Sequence, residues 1–127
     1  MLRFIPADDN VFAVEVARKI TGEDLDAILD RLEPMLEQHD KVHVFVETKS
    51  IEGIEIAGFT RYAARATPLF GKLRQFGRVA VVADQGWVRA GTRLESAMLP
   101  FISYNTYLPE DREAALAWVR GDNQPTG

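Results

Sequence analysis

The chain opens on a period of two. Leu2 to Ile5 and Val11 to Ala17 place apolar side chains at every second position, with Phe12, Val14 and Val16 on one face and Glu15 on the other. Pro6-Ala7-Asp8-Asp9-Asn10 between them is rich in turn formers, so the two runs predict a β-hairpin. At Thr21 the period changes. Leu25, Ile28, Leu29, Leu32, Met35 and Leu36 recur at helical spacing, and Glu23, Asp26, Asp30, Glu33 and Glu37 fill the other face. Thr21 with Asp24 three residues on reads as a capping box, and Pro34 must kink this helix or end it early.

The remainder alternates buried-strand and helix signals. Lys41 to Glu47 is nearly continuous in β-prone residues, Lys49 to Gly53 reads as a loop, and Phe59, Tyr62, Ala63, Ala66, Leu69, Phe70 and Leu73 form a stripe that Pro68 interrupts. Gly77 closes that region. Arg78 to Ala83 is a second buried strand, and Asp84 starts a helix striped with Trp87, Ala90, Gly91, Leu94, Ala97 and Met98, which Pro100 stops. Ile102 to Tyr107 is a short last strand. Pro109-Glu110-Asp111 opens a last helix, whose Ala114, Ala115, Trp118 and Val119 face inward. The order is β-β-α-β-α-β-α-β-α: one α/β domain over 1–121 with about four helices on a mixed, mostly parallel sheet of about five strands, and a polar tail over 122–127. Val44, Val46, Val79 and Val81 are expected to be nearly fully buried.

Composition narrows the function classes. Of 127 residues 46% are apolar, enough for one core. The absence of cysteine excludes disulfides, thiolate metal sites and cysteine nucleophiles. Apolar runs such as Val79 to Ala83 are too short to span a bilayer, and no secretory signal is evident, so a cytoplasmic location is expected. The net charge of −4 argues against generic nucleic-acid binding. The charge is uneven, however: residues 1–60 hold six Lys/Arg against thirteen Asp/Glu, whereas residues 61–127 hold nine against six. A local basic face could meet a phosphate or an acidic partner.

Three motifs carry a family resemblance. Lys41-Val-His-Val-Phe-Val-Glu47, followed by a short loop with Ile51-Glu52-Gly53 and a long helix, resembles SpoIIAA-like proteins. So do Phe76-Gly-Arg-Val-Ala-Val-Val-Ala-Asp84 with Trp87 close behind, and Tyr107-Leu-Pro-Glu-Asp-Arg-Glu-Ala-Ala-Leu-Ala-Trp118. The resemblance implies a STAS-like βα fold, similar in structure to the CRAL-TRIO domains that carry lipids, and it brings no catalytic residues with it. One departure stands out. Anti-sigma-factor antagonists carry a phosphorylatable serine at the start of the helix after the central strand, and the matching stretch here, Glu52-Gly53-Ile54-Glu55-Ile56, has no hydroxyl.

Candidate chemistry is sparse. Glu47, Glu52 and Asp84 fall at or just after the carboxyl ends of expected parallel strands, where open α/β sheets bind ligands. An acid/base pair there competes with a plainer reading in which Asp84 caps a helix and the glutamates are solvated. His39 and His43 share no helical face, so a helix-end histidine and a hydrogen-bonded strand histidine outweigh a metal site. The glycines form no phosphate loop, and Ser96 and Ser103 lack a nucleophile-elbow context. Neither cofactor nor metal is expected, and the chain reads as non-enzymatic. Two neighbouring helices present Phe59, Tyr62, Phe70, Trp87 and Leu94, and Arg61, Arg65, Arg89 and Arg93 repeat at i,i+4 on them. The main expectation is therefore a binding module with a small nonpolar or amphipathic ligand, such as a lipid, in an inter-helix cleft. Phe59, Tyr62, Phe70, Trp87 and Leu94 would line that cleft, and Arg61 or Arg65 would meet an anionic head. The alternative is a regulatory protein–protein interaction domain of STAS type, with a protein partner or a second copy, lacking the usual phosphoserine switch.

Overall fold

The computed structural model describes residues 2–54, 74–84 and 103–121. Their elements run β1 (Leu2–Phe4), β2 (Val11–Ile20), α1 (Gly22–Gln38), β3 (Val42–Ile54), β4 (Phe76–Ala83), β5 (Ser103–Tyr107), a 3-10 turn (Pro109–Asp111) and α2 (Arg112–Arg120). The five strands form one sheet in sequential order β1-β2-β3-β4-β5. β1 pairs antiparallel with β2, as the hairpin signal required, and β2, β3, β4 and β5 are mutually parallel. Among the described residues there are two α-helices where about four were expected. The other two expected helices fall in 55–73 and 85–102, outside the described residues.

α1 starts where the capping box put it. Thr21 Oγ1 accepts from the Asp24 N–H at 3.2 Å, and the Asp24 carboxylate accepts from the Thr21 N–H at 3.1 Å. The helix neither stops nor shortens at Pro34 but runs on to Gln38, and the His39 N–H closes it on the Met35 carbonyl. Leu25, Leu29, Leu32 and Leu36 are buried, and Leu32 and Leu36 pack on Phe12, Val14 and Val42 of the sheet. Phe4 and Phe12 meet edge to face, with centroids 6.0 Å apart.

α2 covers the opposite face of the sheet. Ala115 and Val119 are fully buried against Val11, Ala13, Phe45, Ala80 and Val82. The helix ends on Gly121 in the left-handed region at φ 80°, a conformation in which a side chain would be strained. Ala114, expected inside, is exposed: Ala115 and Val119, four residues apart, define the inward stripe, and Ala114 sits beside it.

This two-sided cover changes three further expectations. Val81 is buried, but Val44, Val46 and Val79 are only partly so. The fully buried positions of β3 and β4 are Phe45, Ala80 and Val82, which face α2, together with Val42 under α1 and Ala83 at the end of β4, while Val44 and Val46 lie at the margin of the cluster under α1. Residues 49–53, read as a loop, continue β3 in irregular form. The register with β2 slips between Ala17 and Lys19, and Arg18 and Ser50 take left-handed φ values of 60° and 50°. Gly77 lies inside β4 rather than ending the region before it. A Cβ there would come within 2.5 Å of His43 Cε1 and Nδ1, so glycine is required for the imidazole to lie against the strand.

Candidate functional site

The parallel register carries chemistry across the sheet. On the face that α2 covers, Arg3 pairs with Glu15, Glu15 with Glu47, Glu47 with Val82 and Val82 with Tyr107. Two glutamates on neighbouring strands thus stand side by side, and both are buried, at 5% and 4% exposure. Buried carboxylates need charged partners, and each has its own. Arg3 Nε donates to Glu15 Oε1 at 2.8 Å and Lys49 Nζ reaches Glu15 Oε2 at 2.8 Å. Arg112, at the start of α2, donates through Nε to Glu47 Oε1 at 2.9 Å. Its guanidinium also reaches the exposed carboxylate of Glu113 at 3.3 Å and lies 5.8 Å from the Phe45 ring centroid.

These contacts tune the groups involved. Glu15 is held below the ordinary glutamate pKa, chiefly by the hydrogen bond from Lys49, against a desolvation that pushes the other way. Lys49 is raised by the same bond. Arg112 is raised chiefly by its bond to Glu47. The result is a strip of alternating sign, Arg3, Glu15, Lys49, Glu47, Arg112, with its anions inside and its cations reaching outward: the Arg3 and Lys49 side chains are 64% and 54% exposed.

Asp84, at the carboxyl end of β4, has a different task from Glu47. Its carboxylate accepts the Ser50 backbone N–H at 3.2 Å and 3.3 Å, bracing the left-handed turn of β3. Thr48 Oγ1 is buried there with no hydrogen-bond partner among the described residues. Glu47 and Asp84 therefore engage separate partners, Arg112 and the Ser50 N–H. The plainer reading also needs correction at Glu47, which is not solvated but buried in an ion pair, whereas Glu52 is exposed.

At the amino end of the strands, His43 is a strand histidine with hydrogen bonds, as expected. Its Nδ1 accepts the Arg78 backbone N–H at 2.9 Å, and Arg78 Nε donates to the Val119 carbonyl at 3.3 Å, at the end of α2. Burial, then the charges of Arg78 and Lys41, press the His43 pKa below its ordinary value. Among the described residues no group of His, Asp and Glu is arranged to hold a metal ion. The expected ligand residues Phe59, Arg61, Tyr62, Arg65, Phe70, Trp87 and Leu94 all lie outside the described residues.

Sequence reasoning missed Arg3, Glu15, Lys49 and Arg112. Alternation puts Glu15 on the face opposite Phe12, Val14 and Val16, but it cannot tell solvent from a second covering layer. The available signal was Glu15 and Glu47 lying at the same phase of two strands that align in parallel, with an arginine at the start of the last helix.

The sequential, largely parallel sheet, with a described helix packed on each face, defines the class as a SpoIIAA-type α/β domain. The SpoIIAA-like family profile matches residues 11–120, and the chain belongs to that family. Among solved structures it is similar to an uncharacterised protein from Shewanella loihica PV-4 with a SpoIIAA-like fold, at 20% identity over 94% of this chain and 92% of that one, with a TM-score of 0.69. It is also similar to the anti-sigma factor antagonist SpoIIAA in its unphosphorylated form, at 12% identity over 95% and 97% of the two chains, with a TM-score of 0.56. The phosphorylated form of SpoIIAA, a Bacillus cell fate determinant, matches at 6% identity over 90% and 97%, with a TM-score of 0.55. At these identities the likeness is one of fold. No curated protein sequence matches the chain.

Proposed function

We propose that this chain is a non-enzymatic, cytoplasmic regulatory domain that binds a protein partner through the charged end of its sheet and works without a phosphoserine switch. The observation that carries the reading is the strip of two buried glutamates that fix three outward-reaching cations, Arg3, Lys49 and Arg112, in a family whose fold is shared with an anti-sigma factor antagonist. Ion pairing costs the glutamates their use as bases but gives the cations a fixed spacing, which favours recognition over turnover. Lys49 follows two residues after Glu47 on the same strand, and Arg112 begins a helix anchored in the core, so the array sits on rigid elements. The stretch Glu52-Gly53-Ile54 offers no hydroxyl for a phosphate, so partner choice is set by constitutive charge.

Affinity capture from the native lysate, with a salt series, tests this. An acidic partner released as salt rises, and lost on Lys49→Glu with folding intact, is expected. Stoichiometric phosphate on Thr48 or Ser50 that changes partner binding would overturn the switch-free part. An amphipathic molecule carried through purification, with no salt-sensitive partner, would return the reading to the inter-helix cleft.

A further inference from the structure

At the other end of the strands a groove of about 350 Å³ opens between the β1–β2 connection and the second half of α1. Pro34 lines it, and Pro6 lies in the connection on its other side. The Ile5 N–H donates to the Ala13 carbonyl at 2.9 Å, but Pro6 has no N–H to continue pairing, and the chain turns away through Ala7, Asp8 and Asp9. Across the gap, Pro34 stands inside α1 and has no N–H to donate. The floor is apolar, formed by Ile5, Val11, Phe12 and Met35. Three of the polar lining residues are Asp8, Asp9 and Asp30; the fourth, Arg31, lies with its guanidinium 4.7 Å from the Phe4 ring centroid.

We propose that this groove is a second docking site, which receives one lysine or arginine side chain of a partner protein. Asp8 and Asp9, both exposed, against the one guanidinium of Arg31 favour a cation over an anion. The apolar floor suits the methylene stem of a long basic side chain, which buries its carbons while its charged end stays at a polar rim. The volume lies near the lower limit of about 300 Å³ for ligand pockets, room for one side chain rather than a folded element. The site is separate from the glutamate strip. It lies beside the amino end of β2, whereas Glu15, Lys49 and Asp84 lie toward the carboxyl ends of their strands, and it selects the opposite charge.

The test is amide chemical-shift mapping on the full chain with three short peptides that differ at one central residue: lysine, norleucine or glutamate. The lysine peptide should give saturable, salt-sensitive shifts confined to residues 5–13 and 30–35, and the other two should not. Replacing both Asp8 and Asp9 by asparagine should weaken the lysine peptide roughly fivefold, for the loss of two exposed charge contacts. Glu110→Gln, at an exposed carboxylate in the 3-10 turn before α2, should leave its binding unchanged. The proposal is overturned if norleucine binds as well as lysine, or if n-butylammonium alone binds as tightly as the peptide, which would make the groove a small-amine site. The peptide series uses the unaltered protein, so it decides the matter even if the double variant folds poorly.

Discussion

The two described helices hold the same sheet by different means. α1 has 17 residues, a reciprocal capping box and a leucine stripe on the sheet, and at its end Gln75 Nε2 donates to the Leu36 and His39 carbonyls at 2.7 Å and 2.9 Å. α2 has 9 residues and no side-chain cap at its start, and it sends only Ala115 and Val119 fully into the core. What α2 lacks in apolar area is made up by charged pins at its two ends: Arg112 on Glu47 at the start, and Arg78 on the Val119 carbonyl at the finish. A cation at the last turn of a helix is favourable, but Arg112 sits at the end where the helix dipole disfavours it, so the Glu47 carboxylate must more than offset that term. A long amphipathic helix is seated mainly by area, whereas a helix of two and a half turns depends on a few directional contacts, and the sheet buries Glu47 to supply one of them.

The comparison can be broken most severely from the sheet. Phe45 is fully buried beneath α2, and Phe45→Ala should cost about 3–5 kcal/mol in denaturant unfolding. Loss of much less would mean that α2 rests on its pins alone. Next in size is the start of α2. Arg112→Met leaves Glu47 buried without its partner and should cost about 2 kcal/mol, less than a fully enclosed pair because Arg112 is one-third exposed. Adding Glu47→Gln should recover most of that loss, and a double variant no better than the single one would show that the pair acts through packing. On the α1 side, Thr21→Ala removes one half of the capping box and should cost about 1 kcal/mol without disturbing α2.

The smallest effects concern pH. His43 has its folded pKa below the ordinary 6.5, so the unfolded chain takes up the proton first. Its contribution to stability is complete above about pH 6.5 and falls away as pH drops through the lower folded value. Proton uptake at Nδ1 would displace the Arg78 N–H and add a charge near the Arg78 guanidinium. Glu15, also depressed, contributes above pH 4.5 and loses that contribution as pH falls further. Stability curves against pH should therefore show two separate declines. The upper one should vanish in His43→Gln and the lower one should shrink in Glu15→Gln; a single decline unaffected by either would show that neither contact matters.

Local pattern along the chain was enough for the hairpin, the capped α1 with its leucine stripe, the strands at 42–47 and 78–83, the turn at Pro109 and the family resemblance. Each of these rests on interactions within a few residues: alternation, helical spacing, a Thr–Asp cap, a proline at a first turn. Only the assembled sheet decided that Glu15 is buried rather than solvated, that Glu47 belongs to Arg112, that residues 49–53 join β3, and that Gly77 exists to admit His43. These outcomes depend on strand register and on which face a distant helix covers. A period of two states which residues share a face, but it does not say what lies over it, and an ion pair between residues 65 apart in sequence has no local signature.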